Sequence, residues 1–267
     1  MNVLSALPWW VLVPGTLLVI ATIAFLLRSM FEILLGSSKS QAASFAAPLM
    51  PALGVLFAFM SGFAITAMWG GHTAAELTVS KEATASDQLA WAATARNVDT
   101  QSIQTALVRY IDSVVESEWP LQSQMSQSLN RQSADIKNLQ QAVRSSASDP
   151  TVGQADAAAL INGVDDLSTQ RAARLGASKS SMPLALFIAL VVSGLALCLN
   201  ALFVSVAGER RSRMVTYSII VVVALDLAVL LILAGPFTGS QQVSNSPLIE
   251  VREQIITGQM SSEVLPN

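Results

Sequence analysis

Asp226 is the one acidic residue deep inside a long apolar run, here Met214 to Ala234. It stands ten positions after Thr216, roughly 15 Å along a helix rising 1.5 Å per residue, and so near mid-bilayer. On insertion scales a central Asp costs about 2.5–3.5 kcal/mol, so it must face protein or water, be paired, or be protonated. Two readings follow: a residue on an ion or proton path, or a hydrogen-bonded Asp that fixes helix packing. No Lys or Arg stands at matching depth for a salt bridge, and Ser61 and Asn200 are the candidate neighbours. Elsewhere reactive side chains are sparse. One cysteine, Cys198, and one histidine, His72, leave neither a disulfide framework within the chain nor a Cys/His metal cluster. Cys198 reads as a small packing residue, and His72 as an interface residue without an evident partner. Glu82, Asp112, Glu116 and Glu118 read as a solvated acidic face rather than a metal site. Arg171 and Arg174 are expected to pair with those acids or with lipid headgroups. No nucleophile elbow, P-loop or dinucleotide fingerprint appears, so the expectation is no enzyme, no cofactor and no metal.

Composition says what must position these residues. Of 267 residues, 52% are hydrophobic and 12% charged, with a mean hydropathy of +0.52. Soluble domains carry about 25% charged residues, so an ordinary soluble enzyme and a disordered chain are both excluded. A net charge of −3 and a pI of 5.2 offer no basic surface for nucleic acid. Crossing a bilayer takes about 20 apolar residues. Such runs occur four times, at Trp9–Leu27, Leu49–Trp69, Met182–Val206 and Met214–Ala234. The first reads as an uncleaved span, because no Lys or Arg precedes Arg28 and its apolar core exceeds a signal h-region.

Span two carries Gly54, Ala58, Gly62 and Thr66 at steps of four, a small-residue stripe that suits close helix packing. Its alternative reading is a pore wall, with Phe57, Phe59 and Phe63 as a dewetting constriction. On that reading Asp226, Phe57, Phe63 and Ser61 are the candidate ion-path residues.

The polar stretch between spans two and three reads as helices with one buried face. Ile103, Leu107, Ile111, Val114 and Val115 form one stripe. Leu121, Met125, Leu129, Ile136, Leu139 and Val143 form a second, and Val152, Leu160, Ile161, Val164 and Leu167 a third. Residues 72–97 are expected to continue span two as a helix. Pro120 is expected to break one helix and open the next, and Asp149-Pro150 to be an N-cap and first helical residue. A short amphipathic helix is expected from Pro247, lying on the insert or at the interface. The expected divisions are a first span pair (1–69), a helical extramembrane domain (70–181), a second span pair (182–235) and a tail (236–267).

Orientation follows from the short loops. Arg210, Arg211 and Arg213 crowd the connection between spans three and four, and Arg28 and Lys39 lie between spans one and two. Basic short loops stay in the cytoplasm, while long inserts count little. The insert and both termini are therefore expected outside. Trp9, Trp10, Trp69, Phe237 and Tyr217 are expected as interface anchors.

An ordered set of short motifs resembles a known family. Gly54 to Phe63, ending in Trp69, is followed by Lys81-Glu82-Ala83. Then come Tyr110 to Pro120, containing Glu118-Trp119-Pro120, and Arg171-Ala-Ala-Arg174-Leu175. Met182-Pro183 opens span three, Pro236-Phe237-Thr-Gly239 closes span four, and Ser246-Pro247 follows. Together these are similar to the bacterial bestrophin-like domain family, remotely related to the bestrophins. Where that family often has an acidic residue two positions before the Pro-Phe pair, this chain has Ala234. The resemblance implies an oligomeric anion-channel fold with four spans and a helical soluble domain. It also implies cytoplasmic termini, the reverse of what the arginines indicate; translocating those arginines has a physical cost, so the termini are expected outside.

The fold expected is thus an all-α membrane protein, with four transmembrane helices and a helical extramembrane insert between the second and third. Its place is the inner (plasma) membrane, as a homo-oligomer in the lipid bilayer. The function expected is an ion channel or pore. The alternative is a non-conducting interaction or sensing protein whose insert binds a protein partner.

Overall fold

The computed structural model describes residues 8–35, 39–122, 134–178, 183–206, 210–233, 235–237 and 242–259; the side chains of residues 35, 39, 40, 42, 121, 122, 210 and 211 are outside that description. Every regular element among the described residues is helical. The chain divides into two compact units, Met1–Gly70 with Ser181–Gly235 and Gly239–Gln241, and Gly71–Ser180 with Pro236–Thr238 and Gln242–Asn267.

The first unit holds α1 (Trp9–Leu35), α2 (Lys39–Ala46), a 3-10 turn (Ala47–Leu49), the start of α3 (Met50–Ala92), α8 (Leu184–Val206) and α9 (Arg210–Leu233). Among the described residues, four helical segments are long and apolar enough to cross a membrane: Trp9–Leu34, Ala43–Ala92, Leu184–Val206 and Ser212–Leu233. Two apolar clusters join them. Phe57, Ala64 and Met68 of α3 meet Leu190 and Leu197 of α8 and Val223 and Leu230 of α9. Ala24 of α1 meets Leu202 and Ile220. Gly194 lets α8 approach closely, since a Cβ there would lie 3.0 Å from the Phe57 ring and press it aside.

Hydroxyls in these helices close onto their own backbone, as lipid demands. Thr22 donates to the Leu18 carbonyl at 2.7 Å and Thr66 to that of Gly62 at 2.8 Å. Between helices, Thr216 donates to the Ala201 carbonyl at 3.1 Å. The first helix is longer than its apolar run suggests. Arg28 lies on α1 rather than in a loop, because its guanidinium reaches Glu32 one turn on at 2.8 Å and each charge neutralises the other.

The second unit holds the rest of α3, then α4 (Thr100–Ser113), a π turn (Val114–Glu118), α5 (Trp119–Gln122), α6 (Ala134–Ala147), α7 (Gln154–Ala177) and α10 (Ser246–Ile256). Its core collects Ala75, Val79 and Leu89 from α3, Ile103, Leu107 and Ile111 from α4, Ile136, Leu139 and Val143 from α6, and Leu160, Val164 and Leu167 from α7. The tail helix packs on this unit through Leu248, Val251 and Ile255, and Arg252 pairs with Asp112. Asp99 caps α4, its Oδ1 accepting from the Ser102 amide at 3.1 Å.

Two expected helix signals resolve differently. Asp149 does not cap α7, because its carboxylate accepts from the Thr151 amide and hydroxyl at 2.8 and 2.7 Å. That closes a local Asx turn, and the helix starts only after Gly153. Pro120 does not break the chain's helical path. The backbone widens into a π turn just before it, with the Trp119 amide on the Val114 carbonyl, and continues as α5. Met125 and Leu129 lie outside the described residues.

Candidate functional site

In the first unit, α3 and α9 bring Ser61 and Asp226 together. The Ser61 hydroxyl donates to Asp226 Oδ1 at 2.6 Å, while Asp226 Oδ2 is buried without a hydrogen-bond donor. Asn200 is not part of this pair. Its neighbour Ala201 bonds Thr216, which puts Asn200 near Thr216, roughly 15 Å along α9 from Asp226. The pair opens on a groove of about 570 Å³ whose walls include Gly54, Ala58, Gly62, Leu197 and Val222.

The phenylalanines of span two divide between two faces. Phe57 is 5% exposed and packs within the protomer, whereas Phe59 and Phe63 are 65% and 62% exposed with their rings 6.4 Å apart. Gly54, Ala58 and Gly62 of the small-residue stripe face the groove instead. Ala58, Gly62 and Thr66 are exposed, and a Cβ added to Gly54 or Gly62 would meet nothing within 4 Å. Arg213 is exposed near the start of α9, and the side chains of Arg210 and Arg211 lie outside the described residues.

In the second unit, five polar side chains from α3, α4, the π turn and α7 form one buried chain. Tyr110 donates to Glu82 Oε1 at 2.5 Å. Arg174 Nε donates to Glu82 Oε2 at 2.5 Å and its Nη2 to Glu118 Oε2 at 2.7 Å. Arg171 Nη2 reaches Glu118 Oε1 at 2.5 Å. The Arg174 guanidinium also lies over the Trp119 ring, 5.7 Å from its centroid, and Trp119 meets Phe237 edge-on. Burial opposes the Arg174 charge, yet Glu82, Tyr110 and Glu118 together raise its pKa. Burial, then the Glu82 charge, pushes the Tyr110 hydroxyl well above its ordinary value.

The acids therefore are not one solvated face. Glu82 is 0% and Glu118 6% exposed, because two arginines balance them. The signal was in the phase of the stripes. Leu160, Val164 and Leu167 step by four and three onto Arg171 and Arg174, and Ala75 and Val79 step likewise onto Glu82. Phe237 is 2% exposed inside this unit rather than an interface anchor, since Trp119 holds it. His72 has a neighbour after all, its Nε2 3.6 Å from Glu76 Oε1. Among the described residues no three His, Cys, Asp or Glu side chains converge as a metal site would require.

The bestrophin-like domain matches residues 18–248, most of the length. The chain belongs to the bestrophin-like family. Two solved structures share its fold. One is a membrane protein variant, 14% identical, with a TM-score of 0.62 over 94% of this chain and 99% of that one. The other is a variant of a bacterial bestrophin homologue from Klebsiella pneumoniae, 13% identical, with a TM-score of 0.62 over 91% of this chain and 99% of that one. No curated protein matches the chain significantly. It is a membrane protein, with four apolar helices long enough to span among the described residues.

In this bestrophin-like protein the motifs behind the resemblance gather in space. Glu118 and Trp119 stand with Arg171, Arg174 and Phe237 in the buried chain, and the Pro236 carbonyl accepts from the Val243 amide at 2.7 Å. Pro120 is exposed on α5, and Gly239 lies outside the described residues.

Proposed function

We propose that this bestrophin-like protein is an oligomeric ion channel whose protomers assemble around the open face of span two. The observation that carries the reading is the pair Phe59 and Phe63. Both are exposed and their rings stack one turn apart on α3. An exposed aromatic pair beside small residues suits a narrow hydrophobic constriction, which gates by dewetting. Phe57 backs that helix from inside the protomer, and the Ser61–Asp226 pair stands behind the wall. The reading gives the protein transport and no catalysis. Family membership and the shared fold with a bacterial bestrophin homologue support it.

The orientation we infer puts the insert and both termini outside the cytoplasm in the inner (plasma) membrane, on the strength of the basic short loops. The test of the channel reading is the subunit count of the solubilised protein, followed by recording in planar bilayers. Unitary conductance that rises in Phe63→Ala and changes in Asp226→Asn is expected. Flat traces from a well-folded oligomer would defeat it.

A second reading rests on the helical unit, where Trp91 is 74% and Leu77 54% exposed. Exposed large apolar groups on a soluble surface mark contact sites. In that reading the insert binds a protein partner and the membrane part does not conduct. Crosslinking from position 91 that captures only self-contacts would weigh against it.

A further inference from the structure

We propose that the groove beside Asp226 binds a lipophilic ammonium ion, its charged head on the carboxylate and its hydrocarbon along the apolar wall. The groove has about 570 Å³, within the range of small-molecule sites, roughly 300–1,000 Å³. Among the described residues, Asp226 is the one ionisable residue in its lining. The lining has no donor left to spend on that carboxylate. Ser61 already donates to Oδ1, and Ser218 donates to the Met214 carbonyl at 3.0 Å. Oδ2 is buried with no donor, a costly state for a carboxylate away from water. An ionised Asp226, whose side chain lines the groove, draws its complement from outside the protomer as a cation or a strong donor.

The rest of the lining selects among cations. A hard metal ion wants about six or more oxygen ligands. Here the side-chain oxygens come from Asp226, Ser61 and Ser218, and the remaining walls are glycine, alanine, phenylalanine and branched aliphatics. That set under-coordinates a metal but suits an ammonium, which needs one carboxylate partner while its chain gains apolar contact. Gly54 and Gly62 leave room for the chain, since no atom lies within 4 Å of where their Cβ atoms would be. The site does not depend on conduction; it requires only that the groove beside Gly54 and Gly62 stay open where copies meet.

The experiment uses the full chain in phosphatidylcholine nanodiscs. Thermal unfolding is followed with n-octylammonium chloride, with n-octanol and with sodium chloride at equal concentration. Octylammonium is expected to raise Tm above the octanol value by about 2–4 °C, with sodium chloride giving no such gain. Asp226→Asn is expected to abolish the difference. Gly62→Leu is expected to abolish it too, by filling the groove while leaving the carboxylate in place. The second variant decides the matter if the first fails to fold. Equal gains from octylammonium and octanol, an equal gain from sodium chloride, or a difference that survives in either folded variant would overturn the site.

Discussion

Tyr110 and Arg174 share one carboxylate: the phenol donates to Glu82 Oε1 and the guanidinium Nε to Oε2, each at 2.5 Å. All three side chains are fully buried, and they come from three different helices. A carboxylate clamped this way cannot leave one partner without stranding another. The stability of the helical unit is therefore tied to the protonation of Tyr110.

The sign of the pH dependence follows from the raised Tyr110 pKa. In the folded state the phenol keeps its proton above pH 10, whereas in the unfolded chain it ionises near pH 10. The folded state thus binds more protons there, and stability is full below about pH 10 and falls as pH rises beyond it. Denaturation midpoints measured from pH 8 to 11 should drop at the alkaline end in the wild type. Tyr110→Phe should lose about 1.5–3 kcal/mol at neutral pH, for the missing hydrogen bond to a buried carboxylate, and show a flatter alkaline limb. A variant with the wild-type alkaline fall would contradict this.

Removing one member of the ion-pair chain should cost more than removing all of its charges. Arg174→Ala leaves Glu82 and Glu118 facing each other without their shared cation, and about 3–5 kcal/mol of destabilisation is expected. Replacing Glu82, Glu118, Arg171 and Arg174 together by Leu or Met should cost clearly less, since no charge stays unpaired. Chemical denaturation read by circular dichroism compares the two. A quadruple variant less stable than the single one would show that packing, not charge, dominates here.

The fold was legible where one physical rule acts alone. Apolar length marked the four spans, and the three-and-four steps of Ile103–Leu107–Ile111 and Leu160–Val164–Leu167 marked buried helix faces that the structure confirms in the core. The polar cluster was harder, because rules about single residues put charges outside. Glu82 and Arg174 sit at core positions of their stripes, and only pairing across 92 residues makes that tolerable. The turn at Asp149 departs from the N-cap expectation for a local reason, since Thr151 offers both an amide and a hydroxyl to the same carboxylate. Ser61 was a candidate neighbour of Asp226 by depth alone; their contact depends on how α3 and α9 rotate, which spacing does not encode.

Two glycines in the first unit should respond oppositely to the same substitution. Gly194→Ala places a Cβ 3.0 Å from the Phe57 ring and 3.4 Å from Val223, so overpacking of about 1–3 kcal/mol is expected. Gly62→Ala meets nothing in the protomer and should hold or gain about 0.4–1 kcal/mol. Thermal unfolding of the two variants side by side measures this. If Gly62→Ala instead loses as much as Gly194→Ala, the open stripe is covered by another copy in the membrane.

Orientation separates the basic-loop rule from the arrangement the bestrophin resemblance implies. Trp91 and Arg213 are both exposed, one in the helical unit and one near the start of α9, so both positions accept a probe. Single cysteines are introduced there as Trp91→Cys and Arg213→Cys, with Cys198→Ala removing the native thiol. A membrane-impermeant maleimide applied to right-side-out vesicles should label position 91 and spare position 213, and inside-out vesicles should reverse the pattern. Translocating the start of α9 would carry the guanidinium groups of Arg210, Arg211 and Arg213 across the bilayer, and basic residues in short connections resist that. Labelling of position 213 from outside would mean that this cost had been met, and the insert would then lie in the cytoplasm as the resemblance implies.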